Sequence, residues 1–313
     1  MSQQNSSISS FKLFLTRIIV PVILAAAIAG WLFQRVFEKK VILSSEICGA
    51  YKVNRIIKEN DSNEVPIFGA SMAQGGCIPH ILGSDYFNYG LDGTGADVWL
   101  FFLKEECKKK KHTPLIIMNF SLDGLANSIG DISNYIYNAD CPEVRELLGK
   151  HYKAYFSMPI IKYFGQYETY FRYFLNDKMN LTKYTDRGAA IEKNKMTKER
   201  FAQLVAERIK NKAVFENDAH LESEYTELFK NNPDRMFVII ITPYHSSYFT
   251  NFKNYPDAQD FLHRLGEMKN VRVFNFGKVN YPDSMFVNTT HLNYDGAVRF
   301  SKELKDSLAT LHY

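Results

Sequence analysis

The chain has 313 residues, enough for one large domain or two modest ones, and its 46% hydrophobic and 23% charged residues are the balance of a folded globular protein. With 24 Phe and 19 Tyr, a chain disordered throughout is excluded. The formal net charge is only +4 and, apart from the run Lys108 to Lys111, the basic residues are spread along the sequence, which argues against a nucleic-acid binder.

Residues 1–10 are polar, rich in Ser, Gln and Asn, and read as a disordered tail. From Phe11 to Phe33 the chain is strongly apolar, with no charge between Ile18 and Phe33. That charge-free stretch is short for a bilayer core of about 30 Å at about 1.5 Å per helical residue. It reaches spanning length once Phe11 to Leu15 are added and Lys12 and Arg17 snorkel to the headgroups. Trp31 stands where an interfacial aromatic belongs, and Pro21 is tolerable in a membrane helix. The preferred reading is a single uncleaved transmembrane anchor over residues 11–33. A cleaved signal peptide, with Ala25-Ala26-Ala27 as its small residues, and a buried soluble helix compete with it. Lys12 and Arg17 before the core balance Arg35, Lys39 and Lys40 after it, so the positive-inside bias gives no orientation. The short tail and large following domain fit a single-pass cell-membrane protein with its C-terminal domain outside the cytoplasm.

Residues 34–63 read as a juxtamembrane helix and a polar linker, leaving 64–313 as an α/β domain. Short apolar runs at Val65–Ala70, Tyr86–Tyr89, Leu115–Phe120, Met236–Thr242 and Val271–Phe276 predict strands, with helical periodicity at Ala96–Lys110, Pro256–Met268 and Tyr294–Leu311. Strands alternating with helices imply a parallel sheet covered on both faces. Lys108-Lys109-Lys110-Lys111 follows a helical pattern and reads as a solvated helix end, where cations suit the dipole, in preference to a nucleic-acid patch. Between Asp123 and Asp234 no convincing strand appears, so a helical insertion over about 126–232 is expected. Its aromatic stretch, Tyr152 to Phe174, reads first as the core of that subdomain and second as the lining of a hydrophobic substrate groove.

The four cysteines, Cys48, Cys77, Cys107 and Cys141, contain no C-x-x-C pair. Cys77 and His80 are spaced like half of a zinc site, but no second half follows, so no metal and no cofactor is expected. A disulfide remains open if the domain faces an oxidising compartment.

Four motifs could carry chemistry. In Ile67-Phe68-Gly69-Ala70-Ser71 a buried strand runs into a serine, and open α/β sheets gather their reactive groups beyond the carboxyl ends of strands. Taken alone, Ser71 reads as a helix cap. Asn88-Tyr89-Gly90-Leu91-Asp92-Gly93-Thr94-Gly95 permits close backbone approach; its glycine spacing is not that of a dinucleotide fingerprint, and alone it is a turn. In Asn288-Thr289-Thr290-His291-Leu292-Asn293, His291 precedes the last helix, and an imidazole with a pKa of about 6.5 suits a general base, although an isolated loop histidine is usually a surface residue. Thr242-Pro243-Tyr244-His245 follows the fourth strand, which places Tyr244 and His245 either against substrate or in a structural loop.

The order Gly-x-Ser, then Asn-x-Gly-x-x-Gly, then His-Leu-Asn-x-x-Gly-Ala resembles the SGNH (GDSL-like) hydrolase superfamily, from about Val65 to Leu311. Its flavour is similar to the membrane-anchored branch found beside bacterial cell-envelope acylation systems, relatives of the D-alanyl-lipoteichoic acid transfer protein among them. The resemblance implies a flavodoxin-like three-layer α/β/α parallel sheet. It also implies Ser71 as nucleophile and His291 as base, with the backbone N–H groups of Ser71 and Gly93 in an oxyanion hole. Two features depart from the pattern. Asn288 stands three residues before the histidine, where the family has Asp, with Asp283 and Asp295 as nearby alternatives. The third strand ends Asn119-Phe120-Ser121-Leu122-Asp123-Gly124 in place of Gly-x-Asn-Asp, which leaves the third oxyanion donor without an owner. The implied activity is a serine esterase or O-acyltransferase acting on an acylated cell-envelope glycan, polymer or lipid-linked substrate. The alternatives are a catalytically impaired binding component that serves a membrane acyltransferase partner, and an unrelated flavodoxin-like domain.

Overall fold

The computed structural model describes residues 11–59, 64–110, 113–159 and 161–311; the N-terminal tail, linker residues 60–63 and Lys111 of the lysine run lie outside the described residues. Side-chain alternation along five strands builds the domain. These are β1 (Val65–Phe68), β2 (Tyr86–Asn88), β3 (Leu115–Asn119), β6 (Met236–Ile241) and β7 (Val271–Asn275), while β4 (Lys183–Asp186) and β5 (Ala189–Glu192) form a separate hairpin. The sheet order is β2-β1-β3-β6-β7 with every neighbour parallel. Counting only its own strands, that is the 2-1-3-4-5 order of a flavodoxin-like doubly wound sheet.

Both faces of the sheet are dry, as the continuous apolar runs require. Phe68, Ile116, Met118, Phe237 and Ile239 face one layer, which contains α2 (Gly49–Lys58), α5 (Ala96–Cys107), α10 (Ala219–Asn231) and α11 (Tyr255–Gly266). Ile67, Leu115, Ile117, Val238 and Ile240 face the other, against α3 (Ser71–Gly76), α4 (Pro79–Leu82) and α12 (Tyr294–Leu308). Removing such a side chain, Phe300 of α12 for example, costs about 3–5 kcal/mol in cores of this kind.

The N-terminal helix α1 (Phe11–Ile42) is long and apolar enough to cross a membrane, and its most apolar window is wholly unburied. It does not stop at Phe33. Phe37, Val41 and Ile42 are buried in the domain, where the Phe37 ring meets Tyr163, Tyr167, Tyr170 and Phe171 at 5.0–5.9 Å. Glu38 accepts the Tyr163 hydroxyl at 2.7 Å. The aromatic stretch is thus a core that holds the end of α1, and none of its residues lines either recess at the site described below.

Three further expectations need correction. The supposedly helical insertion contains the β4–β5 hairpin beside α6 (Ser133–Ile136), α7 (Pro142–Leu148), α8 (Tyr167–Met179) and α9 (Lys198–Lys210). Its last helix, α10, packs directly on the sheet, with Phe229 4.5 Å from Phe237 and Tyr225 5.4 Å from Phe120. Nor is the lysine run solvated throughout: Lys109 is buried and paired with Glu106 at 2.7 Å, whereas exposed Lys108 pairs with Glu105. All four cysteines are free. Cys77 is fully buried while His80 is exposed and bonded to Asp186, so the two do not share a site.

One buried charge sits between the hairpin and the sheet. Lys52 of α2 has no exposed surface, and its Nζ donates to the carbonyl oxygens of Gly90 (2.6 Å) and Gly188 (2.7 Å). Burial pushes its pKa down to about 7.

Candidate active site

Beyond β1 the chain leaves the sheet through Gly69, at φ +148°; a Cβ there would lie 2.8 Å from the Ala73 methyl and 2.9 Å from the Asn119 carbonyl oxygen. Glycine makes this tight exit available, and Ser71 then opens α3 at the carboxyl edge of the sheet. The loop after β2 is clamped onto the same helix. Asn88 Nδ2 donates to the carbonyls of Ala73 (2.7 Å) and Cys77 (2.9 Å), while its Oδ1 accepts the Gly90 N–H at 2.9 Å. A Cβ on Gly90 would approach the Gln74 nitrogen to 2.6 Å, so this position also requires glycine. Asp92 and Gly93 follow on the clamped loop.

His291 arrives on a loop closed on itself. Val287 N donates to the His291 carbonyl at 2.8 Å, and Asn293, which caps α12 by accepting the Gly296 N–H, sends its Nδ2 to the Ser284 carbonyl at 2.7 Å. Across 220 positions of sequence, His291 Nε2 lies 2.7 Å from Ser71 Oγ. The other ring nitrogen, Nδ1, lies 3.1 Å from Asn288 Oδ1 and 2.9 Å from Thr290 Oγ1. Asn288 Oδ1 also accepts the backbone N–H groups of Thr290 and His291, each at 2.9 Å, which identifies that atom as the carbonyl oxygen. It follows that Nδ1 carries the ring proton and Nε2 the lone pair that accepts from the Ser71 hydroxyl. Asn288 fixes the tautomer that a triad carboxylate would fix, without its charge.

Burial lowers the His291 pKa below its ordinary value; Asp92 opposes that shift and Lys183 adds to it. The imidazole is therefore neutral and basic at pH 7. Asp283 and Asp295 do not reach it: Asp283 binds His245 Nε2 at 3.1 Å, and Asp295 pairs with Lys195.

Ser71 and His291 open on a recess of about 360 Å³ that Met72, Gly93, Trp99, Asn119, Ser121 and Tyr244 help to line. Gly93 takes φ +71° and Tyr244 OH accepts the Leu122 N–H at 3.1 Å, so both expected residues are at the recess. His245 is not. Its Nδ1 accepts the N–H and the hydroxyl of Ser247 (3.2 and 2.8 Å), a structural cap on the following turn. At the end of β3, where an oxyanion donor was lacking, Asn119 commits its Nδ2 to the Ile240 carbonyl, and Ser121 Oγ lies 3.2 Å from Asp123 Oδ2 and 3.4 Å from Tyr244 OH. Sequence reasoning missed Asp92 and Lys183, the two charges acting on His291. Asp92 was visible inside the glycine motif, whereas Lys183 depends on the unforeseen hairpin. A larger groove of about 870 Å³ between α5 and α10 includes Lys104, Glu105, His220 and Glu224, but among the described residues no hydroxyl or thiol there is bonded to a base, so the smaller recess is the better candidate.

No family model matches the sequence, and no curated protein matches it. Solved structures with a similar course include a protein provisionally described as a platelet activating factor from Streptococcus pneumonia (TM-score 0.41, 11% identity, 88% of this chain and 98% of that one). Others are a carbohydrate esterase family 2 enzyme from Corynascus thermopiles (0.34, 9%, 79% and 65%) and a carbohydrate acetylesterase from Sinorhizobium meliloti (0.34, 11%, 80% and 100%). At TM-scores below 0.5 these likenesses carry no argument, and the strand order and site geometry stand on their own.

Proposed function

We propose that the chain is a membrane-anchored, SGNH-like serine esterase or O-acyltransferase that acts on an acylated cell-envelope glycan or polymer through an acyl-Ser71 intermediate. The observation that carries this reading is the 2.7 Å contact between Ser71 Oγ and a His291 Nε2 whose lone pair Asn288 directs toward it. Ser71 Oγ attacks the ester carbonyl as Nε2 takes its proton. The tetrahedral oxyanion is met by the N–H groups of Ser71 and Gly93, both at the recess; Ser121 donates its hydroxyl proton to Asp123 and supplies no third donor. Nε2–H then protonates the departing alkoxide, leaving acyl-Ser71 and a free alcohol. Water or a sugar hydroxyl, deprotonated by Nε2, attacks the acyl carbon; the proton returns to Ser71 and its C–O bond breaks.

Two observations support the anchor. The C-terminal end of α1 is part of the domain's core, so cleavage after Ala27 would leave Phe37 to Ile42 in place but sever them from the apolar span. Next in sequence to Lys162 and Tyr163, which meet Glu38 at that end, Ile161 and Phe164 (80% exposed) are bare apolar side chains that fit a lipid headgroup boundary. The proposed topology puts the domain outside the cytoplasm, on the short tail and large following domain, and protease accessibility in intact cells tests it directly.

Treatment with a fluorophosphonate probe tests the chemistry: Ser71 is labelled in the wild type and labelling is lost in Ser71→Ala. A second reading is favoured by the neutral Asn288, which cannot stabilise an imidazolium by charge. In it the fold binds an acylated glycan for a membrane acyltransferase partner, and the folded wild-type protein stays unlabelled.

A further inference from the structure

A second recess, about 280 Å³, meets the first at Ser71, Asp92 and His291. It lies between α3 and the β4–β5 hairpin, with Gln74, Lys183, Ala190, Glu192 and Asn288 in its walls. We propose that this hairpin-side recess is the alcohol subsite, which binds the hydroxyl-bearing sugar that releases or receives the acyl group, while the Gly93-side recess takes the acyl group. The inference rests on the acyl-Ser71 reading.

The stereochemistry of acyl transfer separates the two groups. At the tetrahedral carbon, the oxyanion must face Gly93, which borders only the first recess. The leaving or entering alcohol oxygen must lie within reach of His291 Nε2, because that nitrogen gives it, or takes from it, one proton. His291 borders both recesses, and its orienting partner Asn288 borders only the second. The acyl group and the alcohol therefore diverge from Ser71 into different walls.

The walls differ in chemistry accordingly. Met72, Trp99 and Tyr244 give the first recess apolar surface, whereas the second presents the amides of Gln74 and Asn288, the Lys183 ammonium and the Glu192 carboxylate, with Asp92 bordering both. Lys183 Nζ and Glu192 Oε1 are 3.3 Å apart across the hairpin and each about one-third exposed (32% and 39%). An ion pair that open to water contributes little to stability, so its donors and acceptor can exchange onto sugar hydroxyls at small cost. The size, below the roughly 300–1,000 Å³ of ordinary ligand pockets, suits one sugar ring rather than an oligosaccharide.

The hairpin is also a fixed wall. Arg187 (φ +42°) and Gly188 (φ +86°) make a two-residue turn of left-handed residues, and a Cβ on Gly188 would overlap the Asn88 carbonyl oxygen. Asn88 N donates to the Arg187 carbonyl at 2.9 Å, joining the turn to β2. Lys52 then holds Gly188 and Gly90 at once, so a single buried lysine positions both the sugar-side wall and the loop that carries Gly93.

The experiment compares two acetyl donors with full-length protein in nanodiscs at about pH 8, where His291 is neutral: p-nitrophenyl acetate and a mono-O-acetylated methyl glucoside. For Lys183→Met and Glu192→Gln, kcat/KM is expected to fall about ten-fold further for the glucoside than for the phenyl ester, chiefly through KM, as for the loss of a charged hydrogen bond. Lys183→Arg should restore much of it. Equal losses on both esters, or no loss on either, overturn the subsite while Ser71→Ala remains inactive. If Ser71→Ala keeps its activity, the acyl-Ser71 reading itself falls.

Discussion

Two serine–histidine pairs occur among the described residues, and by composition the one outside the candidate site looks more like a hydrolase. His245 lies between Ser247 Oγ at 2.8 Å and Asp283 Oδ1 at 3.1 Å, a complete Ser-His-Asp set. His291 lies between Ser71 Oγ at 2.7 Å and the uncharged Asn288 at 3.1 Å. Their settings reverse the ranking. His245 spends its Nδ1 on the Ser247 N–H two residues away, Ser247 is buried, and neither residue borders the recesses at Ser71. Ser71 stands at the first strand-to-helix turn, open to two recesses, with backbone donors beside it. On the proposed reading, reactivity follows from where the backbone presents the hydroxyl, more than from which acid stands behind the histidine.

The sharpest way to break that comparison is to remove each serine in turn. Ser71→Ala should lower kcat/KM on a small acetyl ester by about 10³-fold or more, whereas Ser247→Ala should stay within about two-fold. Comparable losses from both would undo the distinction. The next largest effect is at the orienting residue. Asn288→Ala frees the ring to rotate and should cost about 10²-fold; Asn288→Asp keeps the acceptor, adds charge and should raise turnover by up to about 10-fold, with the acid limb of the pH profile moved upward.

A smaller effect separates the two charges near His291. Because burial holds its pKa below the ordinary value of about 6.5, kcat/KM should stay flat through neutrality and decline only at lower pH. Asp92→Asn removes an influence that raises the pKa, so the acid limb should move to lower pH; Lys183→Met removes one that lowers it, so the limb should move to higher pH. Shifts in the same direction would contradict the arrangement. The same burial makes the unfolded chain the better proton acceptor at this position, so its contribution to stability declines as pH falls through about 6.5. Smallest of all, His245→Ala should leave kcat/KM within about two-fold and cost about 1 kcal/mol of stability in denaturant unfolding, the usual worth of a lost cap.

How much of this was legible depended on burial. The three central strands, β1, β3 and β6, are apolar runs such as Phe237 to Ile241, whereas edge strand β7 alternates around an exposed Arg272. The hairpin was invisible because Lys183-Tyr184-Thr185-Asp186 is polar, half-exposed and paired with a single neighbour; its signal lies in Arg187-Gly188, a weaker turn pair than Asn-Gly. Ser71, Gly93 and His291 could be picked out because each sits in a motif beside a strand or helix terminus. Asn288 was legible from its place three residues before His291, but the four hydrogen bonds that fix its carbonyl oxygen on the following turn and ring were not. Lys52 could not be found at all: nothing near Val53 or Asn54 distinguishes a lysine on a surface from one sealed beneath a loop.

The unbroken course of α1 into the domain has a mechanical corollary. A catalytic head joined by a flexible tether sweeps a volume and samples many heights above a bilayer. Here the last turns of the helix are themselves core residues, so there is no slack to sweep. On the proposed anchoring and substrate, such a head would work at one elevation, and a polymer would be trimmed or decorated only along the segment that passes that level.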